Sequence, residues 1–171
     1  MNRGTKVSFV GLIFALSVLA LSNLSQAQAF PIELYEDWDK WEYWGPGNKA
    51  QLRNAGYGTA HGEHGYDYAY CYIDHVQVNA YGKCYWDEEI YEIKVRIRIW
   101  DGPLDTGTIK YYLWWTTIWT GDSQNTGWQT LDKYPNAYCS VYGYASMRVE
   151  VKGHFFDAGW QTNTREVTFD Y

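Results

Sequence analysis

The sequence predicts an all-β protein, an antiparallel two-sheet β-sandwich of about six to eight strands, and three observations lead there. Residues 66–72, 90–100 and 144–152 alternate in side-chain character with period two, as strands with one buried face do. All ten Trp and all 17 Tyr lie beyond residue 29, and flat, stiff side chains pack well on pleated surfaces. Gly, Pro, Asn and Asp punctuate the periodic runs at short intervals. Two long hairpins, each with one polar face, favour two packed sheets; a small aromatic-filled β-barrel is the alternative.

Residues 1–29 have the pattern of a secretory signal peptide. Arg3 and Lys6 open it, Val7 to Leu21 is almost wholly apolar, and Ala27-Gln28-Ala29 supplies small residues for cleavage after Ala29. The apolar run of about 15 residues is shorter than the roughly 20 that span a bilayer, and no second span follows. The expected product is secreted, extracellular or periplasmic, and outside the membrane. Its length suits a single domain with its own core.

Residues 1–29 hold two of the 14 basic side chains and none of the 20 acidic ones, so the remainder carries 12 against 20, a balance of −8. Such a surface repels phosphate backbones and anionic headgroups, which argues against nucleic acid as a partner. No Asn-X-Ser/Thr acceptor follows residue 29.

Along the chain, Phe30 to Trp44 is the one segment with helical features. Pro31 suits a first turn, Leu34, Trp38 and Trp41 fall at helical spacing, and Gly45-Pro46-Gly47 ends the run. The same residues also suit an extended arm. Residues 45–65 are rich in Gly and Asn without periodicity, the composition of an irregular loop; with 30–44 they form an N-terminal arm on a core spanning 66–171. Tyr66, Tyr68, Tyr70 and Tyr72 then form one face of a strand, and 76–81 a second short strand. In 90–100, Tyr91, Ile93, Val95, Ile97 and Ile99 oppose Glu92, Lys94, Arg96 and Arg98. A turn at 101–108 leads to the partner strand 109–120. Pairing Ile99 with Ile109 puts the apolar side chains on one face and sets Arg96 beside Tyr112 and Lys94 beside Trp114. After the turn-rich GDSQNTG, 144–152 alternate again, and Arg165, Val167 and Phe169 lie in a last strand.

Three cysteines, Cys71, Cys84 and Cys139, leave one thiol over in an oxidising compartment. Cys71 and Cys84, close in sequence around a turn, are the favoured disulfide, with Cys71–Cys139 as its rival. The remaining thiol is either buried or, as Cys139, free to link two copies.

His61, His64 and Asp67 are the tightest group of potential metal ligands, since two His three apart can share a metal on a helix or tight turn. The Gly-rich setting and the lack of an HExxH pattern make a solvated loop the stronger reading, so no metal and no cofactor is expected. Asp87-Glu88-Glu89 could offer paired carboxylates for glycoside hydrolysis, but adjacent acids at a strand entrance more often protect an edge. No nucleophile stands beside a base, and no catalytic residue is assigned.

What remains is a surplus of aromatic side chains. Trp100, Tyr112 and Trp114, with Lys94 and Arg96 beside them, are candidates for a ligand platform, because sugar rings present flat apolar faces to Trp and Tyr. The Tyr66–Tyr72 row is a second candidate. The function expected is a secreted, non-catalytic binding protein whose ligand is a saccharide or cell-envelope polymer. The alternatives are an extracellular protein-interaction or structural component (an inhibitor, a toxin-like factor or a matrix subunit) and, third, a small secreted hydrolase.

Overall fold

The computed structural model describes residues 29–171, and more than three quarters of them are strand. The strands are β1 (Phe30–Trp44), β2 (Ala50–His64), β3 (Ala69–Cys84), β4 (Ile90–Asp101), β5 (Thr108–Ser123), β6 (Asn125–Lys133), β7 (Ala137–Cys139), β8 (Tyr144–Phe155) and β9 (Gly159–Asp170). They form two antiparallel sheets. One runs β1-β2-β3-β6 with short β7 also on β3, and the other runs β5-β4-β8-β9. The sandwich stands and the barrel does not. The signal-peptide reading falls on residues 1–28, outside the described residues, and on Ala29. No helix among the described residues is long and apolar enough to cross a membrane.

The buried faces come from the alternation seen in sequence. Ile93, Val95, Ile97 and Ile99 of β4 and Ala145, Met147, Val149 and Val151 of β8 meet Val76, Val78 and Ala80 of β3 across the interior. Polar groups also join the sheets. Asn54 of β2 is fully buried, accepts the Trp38 indole N–H at 2.9 Å, and donates to the carbonyls of Val149 and Asn163, both at 3.1 Å. Asn163 of β9 reciprocates, donating to the carbonyls of Lys40 at 2.8 Å and Leu52 at 2.9 Å. Each sheet therefore supplies one amide that satisfies backbone in the other.

Several expectations need correction. Phe30–Trp44 is not a helix but a strand whose Leu34, Trp38 and Trp44 face the core while Trp41 and Tyr43 face outward. The apparent helical stripe mixed two strand faces. The Gly-rich stretch is strand as well, because its glycines make room for rings. A Cβ on Gly56 would lie 2.7 Å from the Trp38 indole, and one on Gly58 would lie 2.8 Å from the Phe169 ring. The only helical turn among the described residues is the 3-10 turn Pro46–Asn48 between β1 and β2. Residues 30–65 are thus half of one sheet rather than an arm.

The two short strands expected around residues 66–72 and 76–81 are one. The pairing of β2 with β3 shifts between Thr59 and Ala60, leaving Asp74 as an extra residue. Outward side chains are even-numbered before this bulge (Tyr70, Tyr72) and odd-numbered after it (His75, Gln77, Asn79, Tyr81). A change of phase in one strand looked like a turn between two.

That overturns the favoured disulfide. Cys71 and Cys84 sit near opposite ends of β3, 13 steps of roughly 3.3 Å apart, about 40 Å, far beyond the reach of a disulfide. The three thiols are free in the structure and all are buried. Cys139 is fully buried, which removes it from the surface where a bridge to a second copy would form.

The β4–β5 hairpin also differs in register. Ile99 lies opposite Tyr111 and Ile97 opposite Leu113, two residues from the expected pairing, so the faces are preserved. Beyond Leu113, bulges in β5 change the phase. Trp115 turns outward over Arg96 and Lys152, and Trp119 takes the place opposite Ile93.

Candidate functional site

The outer face of the β1-β2-β3-β6 sheet carries a transverse row to which each strand contributes one residue. Trp41 pairs with Arg53, Arg53 with Tyr81, and Tyr81 with Trp128. The next row is Tyr43, Gln51 and Lys83. These seven side chains line an open groove of about 380 Å³. Alternation places every one of them outward: residues 41 and 43, 51 and 53, and 81 and 83 are two apart on their strands.

Arg53 organises the groove. Its guanidinium lies 5.4 Å from the Trp41 ring and 4.9 Å from the Trp128 ring. Asp39 grips it from the same face, with Nε donating to Oδ1 at 2.7 Å and Nη2 to Oδ2. That hydrogen bonding holds the Asp39 carboxyl below its ordinary pKa, so the pair remains charged at neutral pH. Tyr81 packs edge-on to Trp41 at 5.8 Å and tilts against Trp128 at 5.4 Å, while Tyr43 stacks on Trp41 at 6.2 Å. Rings held on several sides lose little freedom when a ligand arrives. Trp128 remains 51% exposed, and Tyr43 48%, so ring faces are open to solvent.

Below the groove the same face turns polar. Asn79 accepts from Thr130 at 2.7 Å, and Asp132 accepts from Gln77 at 3.0 Å and contacts His75 at 3.1 Å. Gln77 and His75 hold the Asp132 carboxyl low. Farther along, beyond the Asp74 bulge, Tyr70, Tyr72 and Tyr138 cluster with centroids 5.0–5.9 Å apart. Part of the expected tyrosine row is therefore real, although Tyr66 lies in the turn before β3.

The other predicted platform residues sit on the opposite sheet and are not brought together as expected. Trp100 is only 4% exposed, with the Arg98 and Arg148 guanidiniums 5.2 and 5.6 Å from its ring. Arg96 makes two 2.6 Å bonds to Glu150 and lies over Trp115, and Lys94 pairs with Glu92 at 3.0 Å and lies over Trp160. These cations are engaged by neighbouring carboxylates and indoles. Tyr112 and Trp114 are exposed and tilt against each other at 5.2 Å on β5, an edge strand.

The structure does not bring His61 and His64 together. Three residues apart on a strand, they point to opposite sides of the sheet; His61 instead contacts Asp74 at 3.2 Å and stacks on Tyr72. No group of three potential ligands gathers among the described residues. The acidic run is dispersed too. Glu88 is fully buried and accepts the Asp157 backbone N–H at 2.9 Å, Asp87 is exposed, and Glu89 faces Asp122, whose proximity pushes its pKa up.

Trp41, Arg53, Tyr81 and Trp128 escaped sequence reading because four separate strands supply them. The available signal was the odd-numbered series Tyr35, Asp37, Asp39, Trp41 and Tyr43, a polar–aromatic face with period two. No known protein family matches the chain, and neither curated proteins nor solved structures provide a significant match.

Proposed function

We propose that this is an exported, non-catalytic binding protein whose ligand is a saccharide or cell-envelope polymer seated on the outer face of the β1-β2-β3-β6 sheet. The observation that carries this is the row Trp41–Arg53–Tyr81–Trp128, with Gln51 and Lys83 beside it in an open groove. A sugar ring needs a flat apolar surface for its C–H face and fixed donors and acceptors for its hydroxyls. Trp128 and Tyr43 offer the first; Gln51, Lys83 and the guanidinium edge offer the second. The polar stretch of Asn79, Thr130, Gln77 and Asp132 continues the face along the strands, as an extended chain would require.

The ligand platform thus moves from Trp100, Tyr112 and Trp114 to the other sheet. Protein interaction is the second reading, favoured by Ile109, Tyr112 and Trp114, all exposed on edge strand β5.

Tryptophan fluorescence titrated with soluble polysaccharides and envelope fragments tests the proposal. A saturable change is expected, with Trp128→Ala weakening binding by about tenfold or more and Trp114→Ala leaving it unchanged. Both variants must retain the wild-type circular dichroism. Absence of any saturable response across the panel, or loss of binding with Trp114→Ala alone, defeats it.

A further inference from the structure

We propose that Cys71 and Cys139 form a cross-strand disulfide that fastens β7 to β3. The two residues are direct partners in the antiparallel ladder, at the end of a three-residue pairing that continues through Tyr72–Tyr138 and Ile73–Ala137. Directly opposed residues in such a ladder have Cα atoms about 4.5 or 5.5 Å apart, depending on the pair type, and a disulfide accepts about 4.4–6.8 Å. Either pair type is therefore within range without backbone movement. Both side chains point inward and are fully buried, and the Cys71 thiol faces that of Cys139. Cys84, near the far end of β3, reaches neither.

The position gives the bond a purpose. At three residues, β7 is the shortest strand, and it brings Tyr138 within 5.0 Å of Tyr72 on the outer face. The chain just after it is held by Asp101, which accepts the backbone N–H groups of Ser140 at 3.0 Å and Val141 at 3.2 Å and the Tyr171 hydroxyl at 3.0 Å. A bond from Cys139 to Cys71 would complete the attachment on the other side.

The chemistry is thiol–disulfide exchange. The thiolate of one cysteine attacks the disulfide of an oxidant, either oxidised glutathione or an exported dithiol oxidase, and releases one of its sulfurs as a thiol. The second cysteine then attacks the mixed disulfide and releases the other. Two protons and two electrons leave the pair, and the oxidant's disulfide becomes two thiols. Because both sulfurs are buried once β7 has docked, exchange belongs to folding, and the finished bond is shielded from reductant.

The whole protein is refolded in a mixture of reduced and oxidised glutathione, denatured without reduction, alkylated with iodoacetamide and weighed. One alkyl group per chain is expected, on Cys84, with a Cys71–Cys139 linked peptide in the digest. The Cys84→Ser variant should then take up none and keep the same linked peptide. Reduction in denaturant, followed by refolding without oxidant, should lower the melting temperature by about 10 °C. Three alkyl groups on the wild-type chain, or any linked peptide containing Cys84, overturns the proposal. The outcome is independent of whether the groove binds saccharide.

Discussion

Replacing Asn54 by Leu should cost about 2–4 kcal/mol of stability, although the new side chain is apolar, similar in size and placed in an apolar core. The figure follows from three hydrogen bonds. The Trp38 indole N–H loses the acceptor it holds at 2.9 Å. A buried donor left unpaired costs about 1–3 kcal/mol. The carbonyls of Val149 and Asn163 each lose a donor at 3.1 Å. Both belong to paired strands and have a second lone pair, so together they add about 1 kcal/mol more. For a domain of this length the total corresponds to a fall of roughly 10 °C in melting temperature. Urea unfolding followed by far-ultraviolet circular dichroism measures it directly, provided the denaturant slope is unchanged, so that the midpoint reports stability alone. Asn163→Leu, which removes the donors to Lys40 and Leu52, should cost a similar amount. A neutral or stabilising Asn54→Leu would refute the reasoning, because the sheets would then be held by apolar packing alone.

Two further substitutions probe packing and charge. Gly58→Ala would place a Cβ 2.8 Å from the buried Phe169 ring and 3.2 Å from Met147 Cε, so a net loss of about 1–2 kcal/mol is expected in the same assay, and Phe169→Leu in the same chain should recover part of it. At Glu150, burial pushes the carboxyl pKa up, but Arg96 and Arg98 outweigh that and hold it below its ordinary value. A depressed folded-state pKa contributes stability above the unfolded value, and that stability is lost as pH falls through the folded one. Glu150→Gln should therefore cost about 1.5–3 kcal/mol at neutral pH, and the gap to wild type should close as pH drops below the ordinary glutamate range near 4. A pH-independent difference would show that the ion pair is not its source.

Much of the fold was legible because burial imposes a period on strands. The alternation in residues 90–100 and 144–152 identified β4 and β8, the centre of one sheet, and assigned their faces correctly except at Tyr91, where a bulge puts Ile90 in the core and turns Tyr91 toward His154 and Phe156. What period analysis missed were changes of phase. Asp74 made one strand look like two, and the bulges of β5 sent Trp115 outward and Trp119 inward. Composition misled at β2, where glycines that signal a loop in isolation are gaps for Trp38 and Phe169. Neither error could be corrected locally, since a glycine's role depends on which ring lies above it.

The sequence by itself determined the class of structure, the core faces of the central strands and the acidic balance of the chain, because these depend on local periodicity and on counting charges. Tertiary structure decided which strands are neighbours, and with them the two features from which the proposals are argued. Trp41, Arg53, Tyr81 and Trp128 become one row only when four strands align, and Cys71 meets Cys139 rather than Cys84 only because β7 returns to the start of β3. Both are matters of strand order and register, which arise from long-range pairing and leave little trace in any single stretch of sequence.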